Sequence, residues 1–144
     1  MHDSFESKIG EKMTNKHPNI ELIEKFFKAY ATGDFEIMKR VISPDIKWHI
    51  PGSHPYSGTK FGISEVIKYL EKLNVYGFKA EQIVMGVNHQ YVIDCHRNWN
   101  TSEGIKSLNA MSCLLWKIEN NQIVEVFNFP QNQILVDNFF NQPI

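Results

Sequence analysis

The chain has few residues of the kinds that staple a fold, bind a metal or enter a membrane. Only 2 of its 144 residues are cysteines, Cys95 and Cys113, and two cysteines cannot make the disulfide framework of a small secreted domain. Both fall in strand-like segments, where buried reduced thiols are expected. No spacing of Cys and His matches a zinc site, and no apolar run approaches a membrane span. We therefore expect no metal, no other cofactor and no membrane partner.

Charge of one sign is not in excess either. The 15 Lys and Arg residues against 16 Asp and Glu residues leave a net charge of −1, so the chain has no basic field to hold nucleic acid. The first residues, MHDSFESKIGEKMTNKH, lack the apolar stretch of a secretory signal. We interpret residues 1–17 as a mobile polar tail and residues 18–144 as one domain, and we expect a cytoplasmic location.

Helical periodicity is confined to the first half of the chain. Residues 19–32 repeat apolar side chains at spacings of three and four, which predicts an amphipathic helix with Asn19 as its N-cap. Residues 35–42 show the same pattern, and Pro44 is expected to end that second helix. Residues 63–73 predict a third helix.

Strand patterns dominate the rest. We expect a turn at residues 101–104 and a short closing segment at residues 134–140. Helices followed by a run of strands predict an α+β fold, with an antiparallel sheet wrapped over the helices as a cone-shaped barrel. The strand-like segments are residues 45–50, 78–86, 89–99, 105–118 and 122–129.

Five stretches carry a family resemblance through their order and spacing. They are YATGDFEIMKRVISPDIKW, WHIPGSHPYSGTKFG, VIDCHR, WKIENNQIVEVF and NQILVDNFF. Together they resemble the SnoaL-like branch of the nuclear-transport-factor-2-like superfamily, which includes ketosteroid isomerases and polyketide cyclases. The resemblance covers about residues 19–140. It implies a cystatin-like cone, in which a curved antiparallel sheet wraps three helices of the N-terminal half around a cavity. It also implies a homodimer through the sheet, but this fold hosts enzymes, ligand binders and scaffolds alike.

The residues that ketosteroid isomerases use are not kept in this sequence. Their chemistry needs a carboxylate base, with a Tyr and a protonated Asp that bind the developing oxyanion. By the resemblance, the Tyr position holds Phe26, the base aligns with Ile50 or His49, and the Asp falls near Cys113 or Leu114. Steroid isomerisation by that mechanism is therefore not expected.

The cyclase branch departs from this sequence at a different point. Its acid/base Asp follows the last strand, and Asn132 stands there instead. An amide can hydrogen-bond but cannot exchange a proton near neutral pH. The resemblance thus implies a role for Asn132 in ligand contact rather than in cyclase proton transfer.

Three residues are candidates for catalysis. His49 is a base candidate because imidazole titrates near neutral pH, but strand alternation places Trp48 and Ile50 on one face and His49 on the other. His49 is therefore either catalytic or structural. Asp94 and His96 share a strand face, so the carboxylate can orient the imidazole as in many acid/base sites. The alternative is a solvent-facing or interfacial pair.

Further residues are candidates for binding a small hydrophobic molecule. His54 and Tyr56 follow the strand that ends at Pro51, in a loop expected to rim the cavity. Tryptophan offers an apolar wall with an indole N–H, and a phenol can donate from the first helix. For each residue the alternative is a solvated loop or plain core. The full set is Phe26, Tyr30, Trp48, His54, Tyr56, Cys113, Trp116 and Asn132.

No motif of a serine hydrolase, a dinucleotide site, a P-loop or a zinc protease occurs in the chain. The sequence therefore predicts a SnoaL-like cavity protein that binds a small, largely apolar ligand. The alternative is an enzyme of the isomerase, cyclase or dehydratase type, in which a His moves a proton on a carbonyl-containing substrate.

Overall fold

The computed structural model describes residues 16–101 and 107–142. The predicted tail, apart from residues 16 and 17, lies outside the described residues, as do most of the turn at 101–104 and the start of the strand at 105–118. The helices are α1 (Pro18–Thr32), α2 (Phe35–Val41), α3 (Ile63–Val75) and α4 (Gln133–Asn141). The strands are β1 (Ile42–Ile50), β2 (Gly58–Phe61), β3 (Phe78–Val87), β4 (Tyr91–Asn100), β5 (Asn109–Glu119) and β6 (Gln122–Pro130). None of these helices is long and apolar enough to cross a bilayer.

Helix α1 begins one residue earlier than the sequence predicts. Pro18 occupies its first turn, where a missing N–H costs nothing, and His17 is the N-cap, with its Nδ1 accepting from the Asn19 N–H at 3.0 Å. The prediction of Asn19 as N-cap is therefore wrong. The Asn19 side-chain amide instead donates to the carbonyls of Asn88 and His89, both at 3.3 Å, and so ties the helix to the β3–β4 turn.

The six strands form one sheet in the order β2-β1-β6-β5-β4-β3. Every neighbouring pair is antiparallel except β1 and β6, which run parallel. The α+β class is as the sequence predicts, but the sheet is mixed rather than purely antiparallel. The chain passes through α3 and four strands between β1 and β6, and a connection of that length permits a parallel return.

Pro44 lies inside a strand rather than at the end of a helix. Helix α2 ends at Val41, and β1 begins at the next residue. The register of β1 against β6 shifts between Ile42 and Lys47, so Pro44 lies in an irregular stretch where the missing N–H breaks no regular ladder. The predicted helix, residues 35–42, is thus one residue too long.

Two clusters of buried side chains flank the space between the helices and the sheet. The larger one joins α1, α2 and α3 to the helix-covered face of the sheet, which we call the inner face; the opposite face is the outer face. The smaller cluster is mostly aromatic and joins α4 to the far end of the sheet. Its buried members are Tyr76, Phe78, Leu108, Ala110, Phe139 and Phe140.

Candidate active site

A cavity of about 130 Å³ lies between the two clusters. Phe26 and Tyr30 of α1, and Trp48 of β1, contribute to its largely apolar wall. An engineered apolar cavity of about 150 Å³ binds benzene, so this space suits a ligand of about one ring. The polar side chains in the wall are few, and they are Tyr30, His54, Tyr69, Lys79, His96, Asn98, Ser112, Asn128 and Gln133.

Asp94 and His96 lie on the inner face of β4, as their spacing of two predicts. Asp94 is fully buried, at 0% exposure, and its Oδ1 lies 2.7 Å from Nδ1 of His96. Trp116 on β5 donates its indole N–H to the other carboxylate oxygen at 2.5 Å. Both carboxylate oxygens of Asp94 therefore have a hydrogen-bond partner, which is what a buried carboxylate requires.

This arrangement fixes the proton on one nitrogen of His96. A carboxylate can only accept, so Nδ1 of His96 carries the hydrogen. Nε2 then has a free lone pair, and within the described residues no group bonds to it. The ring lies against Phe27, with centroids 5.8 Å apart, and forms part of the cavity wall. In this tautomer Nε2 of His96 can accept a proton, and the residue belongs to the cavity wall.

His54 is held in the opposite tautomer. The backbone N–H of Tyr56 donates to Nδ1 of His54 at 3.1 Å, so the neutral ring carries its hydrogen on Nε2. Burial lowers the pKa of His54 below its ordinary value, a neighbouring Asp137 opposes that shift, and Lys60 adds to it. The ring packs on Phe140, with centroids 4.8 Å apart, and lines the cavity. His54 is thus a neutral donor.

The lowered pKa makes folding sensitive to acid. Because the pKa of His54 falls from 6.5 on folding, the unfolded chain binds more protons below that pH, and the free energy of unfolding decreases as the pH falls. We expect His54→Asn, whose amide oxygen still accepts from the Tyr56 N–H, to lose less stability than the wild type between about pH 7 and about pH 5. Urea unfolding at both pH values measures this. Equal losses in the two proteins would contradict it.

Two tyrosines add phenols to the wall. Tyr30 donates to the Phe78 carbonyl at 3.2 Å, whereas within the described part of the chain the Tyr69 hydroxyl has no partner. Burial raises the pKa of both phenols, so both stay protonated donors. Tyr69 was missed in the sequence, although it lies three residues after Val66 and four before Leu73, on the inward stripe of α3.

The floor of the cavity is also more polar than the sequence suggested. Asn98 donates to the Ser112 hydroxyl at 3.2 Å, and the side-chain oxygen of Asn128 is buried without a partner. All three residues sit at inner-face positions of adjacent strands and line the cavity. Polar residues at alternate positions of apolar strands were the available signal. The unpartnered Asn128 oxygen can accept from a bound ligand.

Several predicted binding residues lie elsewhere. Tyr56 packs in the smaller cluster, with its hydroxyl 3.5 Å from that of Tyr76, and burial raises the pKa of Tyr76 to about 12. Asn132 is the N-cap of α4 and accepts from the Leu135 N–H at 3.0 Å. Among the predicted binding residues, Phe26, Tyr30, Trp48 and His54 line the cavity, while Tyr56, Cys113, Trp116 and Asn132 do not.

His49 lies on the outer face, as strand alternation with Trp48 indicates. Its Nδ1 is 2.8 Å from the Thr59 hydroxyl and its Nε2 is 2.6 Å from Oε2 of Glu125. The ring stacks on Phe127 with centroids 4.6 Å apart. His49 therefore links β2, β1 and β6 and is not part of the cavity wall.

Helix α4 holds the loop that carries His54. Asp137 accepts from the Ser53 N–H at 3.1 Å, and the Asn141 amide donates to the Ser53 carbonyl at 2.8 Å. Gly52 has a φ of +97°, and a side chain there would collide with Gln133 and Asp137. The predicted closing segment is thus a helix that positions one wall of the cavity. In the described ranges no cluster of three or more His, Cys, Asp or Glu is suited to a metal ion.

Comparison with known proteins identifies the fold but not a substrate. No protein-family model matches the chain, and no curated protein matches it significantly. A protein of unknown function with a cystatin-like fold from Xanthomonas campestris is 29% identical, covers 85% of this chain and 98% of its own, and superposes with a TM-score of 0.76.

Two further solved structures have the same fold, and their descriptions name a bound small molecule or a small-molecule enzyme. TerC, co-crystallised with polyporic acid, is 16% identical over 88% of this chain and 100% of its own, with a TM-score of 0.76. A protein described as a SnoaL-like polyketide cyclase from Jannaschia sp. CCS1 is 14% identical over 88% of this chain and 94% of its own, with a TM-score of 0.72. The chain therefore has the fold that nuclear-transport-factor-2-like and SnoaL-like proteins share. The fold that the resemblance implied is confirmed.

Proposed function

We propose that this protein binds a small, largely apolar carbonyl compound and moves a proton on it, with His96 as the base. The observation that carries the proposal is the Asp94–His96 pair in the wall of an apolar cavity. A buried carboxylate that orients an imidazole toward a ligand space is the arrangement on which many acid/base sites depend.

In the reaction that we propose, Nε2 of His96 takes a proton from the carbon next to the carbonyl. Asp94 stabilises the imidazolium that forms, as the carboxylate of a catalytic triad does. The carbonyl oxygen gains negative charge and needs a donor. The Tyr69 hydroxyl and the Nε2–H of His54 are two donors in the cavity wall, and a neutral imidazole polarises a carbonyl in the same way in triosephosphate isomerase.

The volume of the cavity limits the size of the ligand. A space of about 130 Å³ holds about one six-membered ring by comparison with the benzene-binding cavity, and larger ligands must extend through the mouth beside His54. The co-crystal of TerC with polyporic acid supports small-molecule binding in this fold. We therefore infer a single-ring ketone or enone as the minimal substrate.

Proton exchange in heavy water tests the proposal without knowledge of the natural substrate. The protein is incubated with cyclohexanone, cyclohexenone and the two-ring ketone tetralone, and loss of the proton signal next to each carbonyl is followed by NMR. We expect exchange above the buffer rate, faster for the single-ring compounds. Binding without exchange for every ketone would contradict the proposal.

The second candidate is a ligand-binding module without turnover. It is favoured by the loss of the isomerase residues. By the resemblance, Phe26 stands where those enzymes carry a phenol, and Ile50 or His49 stands where they carry a carboxylate. In that case an apolar fluorescent probe such as anilinonaphthalene sulfonate binds the cavity, and competing ketones displace it with no exchange of their protons.

The outer face supports the proposal of a homodimer. Val84, Cys95, Cys113 and Phe129 form a row across four strands, and its ends are exposed, at 61% for Val84 and 54% for Phe129. A contiguous apolar sheet face of this kind marks an interaction site. Sedimentation analysis is expected to show dimers that Phe129→Lys abolishes, whereas the exposed Ile134→Lys on α4 leaves them intact. A wild type that stays monomeric at every concentration would contradict it.

A cytoplasmic location remains part of the proposal. Both cysteines are unpaired, which agrees with a reducing compartment. Cell fractionation with an antibody to the protein tests it, and recovery in the secreted or periplasmic fraction would contradict it.

A further inference from the structure

The two cysteines of the chain face each other on neighbouring strands. Cys95 of β4 is the direct cross-strand partner of Cys113 of β5. Both thiols are free and half-buried. Because the adjacent Asp94 and His96 belong to the inner face, as Asp94 is fully buried there, both cysteine side chains lie on the outer face.

The register shows which type of strand pair this is. Antiparallel ladders alternate between hydrogen-bonded pairs and non-hydrogen-bonded pairs, and in the latter the Cα atoms are about 4.5 Å apart. The β4–β5 register has no shift. A hydrogen-bonded pair lies at each of its ends: the Asn100 N–H donates to the Leu108 carbonyl at 3.2 Å, and the Ile118 N–H donates to the Gln90 carbonyl at 2.8 Å. Cys95 and Cys113 lie an odd number of positions from each of these pairs, so theirs is a non-hydrogen-bonded pair.

That geometry permits a disulfide. Bridged cysteines have Cα separations of about 4.4–6.8 Å, and the non-hydrogen-bonded pair lies at the short end of this range. No large backbone movement is needed to join Cys95 and Cys113.

We propose that Cys95 and Cys113 form a redox modification site, a dithiol that oxidised glutathione or a similar small disulfide closes into an intrachain bond. One cysteine thiolate attacks a glutathione sulfur, forms a mixed disulfide and releases one reduced glutathione. The second cysteine then attacks the protein sulfur of that mixed disulfide, and the second glutathione leaves. Two protein thiols are oxidised, one glutathione disulfide is reduced to two thiols, and the two protein protons pass to the glutathione thiolates.

The order of attack follows from the surroundings of the two sulfurs. Burial raises the pKa of the Cys113 thiol, and its contacts with Cys95 raise that pKa further. The thiolate is the attacking species, so Cys95 forms the mixed disulfide first and Cys113 resolves it. The opposite order would begin from the sulfur whose thiolate fraction burial has reduced.

The site lies directly behind the cavity floor. His96 and Ser112, as well as Leu114, line the cavity and are chain neighbours of the two cysteines. A covalent link between β4 and β5 at this point fixes the strands that carry the base. The redox state of the pair is thereby connected to the cavity, although the dithiol itself does not depend on the proposed proton transfer or on dimerisation.

The test uses the full chain, in which these are the only two thiols. The protein is titrated with glutathione at varied ratios of oxidised to reduced form, trapped with acid and analysed by intact mass and thiol counting. We expect both thiols to be lost together, with a mass decrease of about 2 Da and no stable glutathione adduct. Excess reduced glutathione is expected to restore both thiols.

Single variants separate the two steps. Cys113→Ser is expected to accumulate a stable glutathione adduct because it lacks the resolving thiol, and Cys95→Ser is expected to form its adduct more slowly. Stable adducts on the wild type, an interchain disulfide on a non-reducing gel, or thiols that resist every glutathione ratio would overturn the proposal. Repeating the titration at several protein concentrations identifies shielding by a dimer, since a dimer slows the reaction as concentration rises without changing its product.

Discussion

Replacement of His96 by Gln is expected to reduce proton exchange by about 10²–10⁴-fold, which is the usual contribution of a positioned acid/base group. Gln fills a similar space and can still accept a hydrogen bond, but it cannot hold a proton near neutral pH. Ligand affinity should change little, because His96 is one of many residues in a largely apolar wall. Exchange by NMR and probe displacement by fluorescence measure the two quantities separately.

Asp94→Asn and His49→Gln complete this experiment. An amide at Asp94 can still face His96, but it removes the charge that fixes the tautomer and stabilises the imidazolium, so we expect an exchange defect in a folded protein. His49→Gln removes the same chemical group from the outer face, where His49 bonds Thr59 and Glu125, and should retain exchange. If His49→Gln abolishes exchange and His96→Gln does not, the assignment of the base is wrong.

Replacement of Phe26 by Ala is expected to lower the free energy of unfolding by about 3–5 kcal/mol, the usual cost of removing a buried aromatic ring. Phe26 is 3% exposed, and its ring centroid lies 5.0 Å from Trp116, 5.4 Å from Phe27 and 5.8 Å from Trp48. Few side chains in the larger cluster contact as many rings. Urea denaturation measures the loss.

A second readout tests whether the lost volume joins the cavity. Phe26 lines the cavity, so its truncation should let tetralone displace the fluorescent probe as well as cyclohexanone does. Ile134→Ala is the matched control, because Ile134 is 72% exposed and surface changes usually cost less than about 0.5 kcal/mol. A change below about 1 kcal/mol for Phe26→Ala, or an unchanged order of ketone affinities, would contradict this description of the wall.

Local patterns in the sequence were sufficient for most of the elements, although not for β2, and for one pair of candidate catalytic residues. The three helices of the first half follow from apolar spacing, and period-two alternation correctly separated Trp48 from His49. The same alternation placed Asp94 and His96 on one face. These features depend on residues close together in the chain, and for that reason they can be read without a structure.

Local sequence patterns could not predict the features that join distant segments of the chain. Trp116 was expected to be a wall residue, but it completes the hydrogen bonding of Asp94 from the next strand. The tautomer of His54 depends on a turn that brings the Tyr56 N–H to Nδ1. Tyr69 lies on the inward stripe of α3 among apolar residues, and the helical pattern does not distinguish it from core. Cross-strand register decides the case of Trp116 and turn geometry that of His54, and neither is encoded in spacing alone.

The parallel pairing of β1 with β6 has a consequence for how the chain reaches this state. The other strand neighbours are successive along the chain and can meet early, whereas this contact joins residues 47–49 to residues 125–127. Entropy opposes the closure of so long a loop, and non-local pairing slows folding. During synthesis, the β1–β2 pair therefore cannot join the rest of the sheet until β6 has left the ribosome.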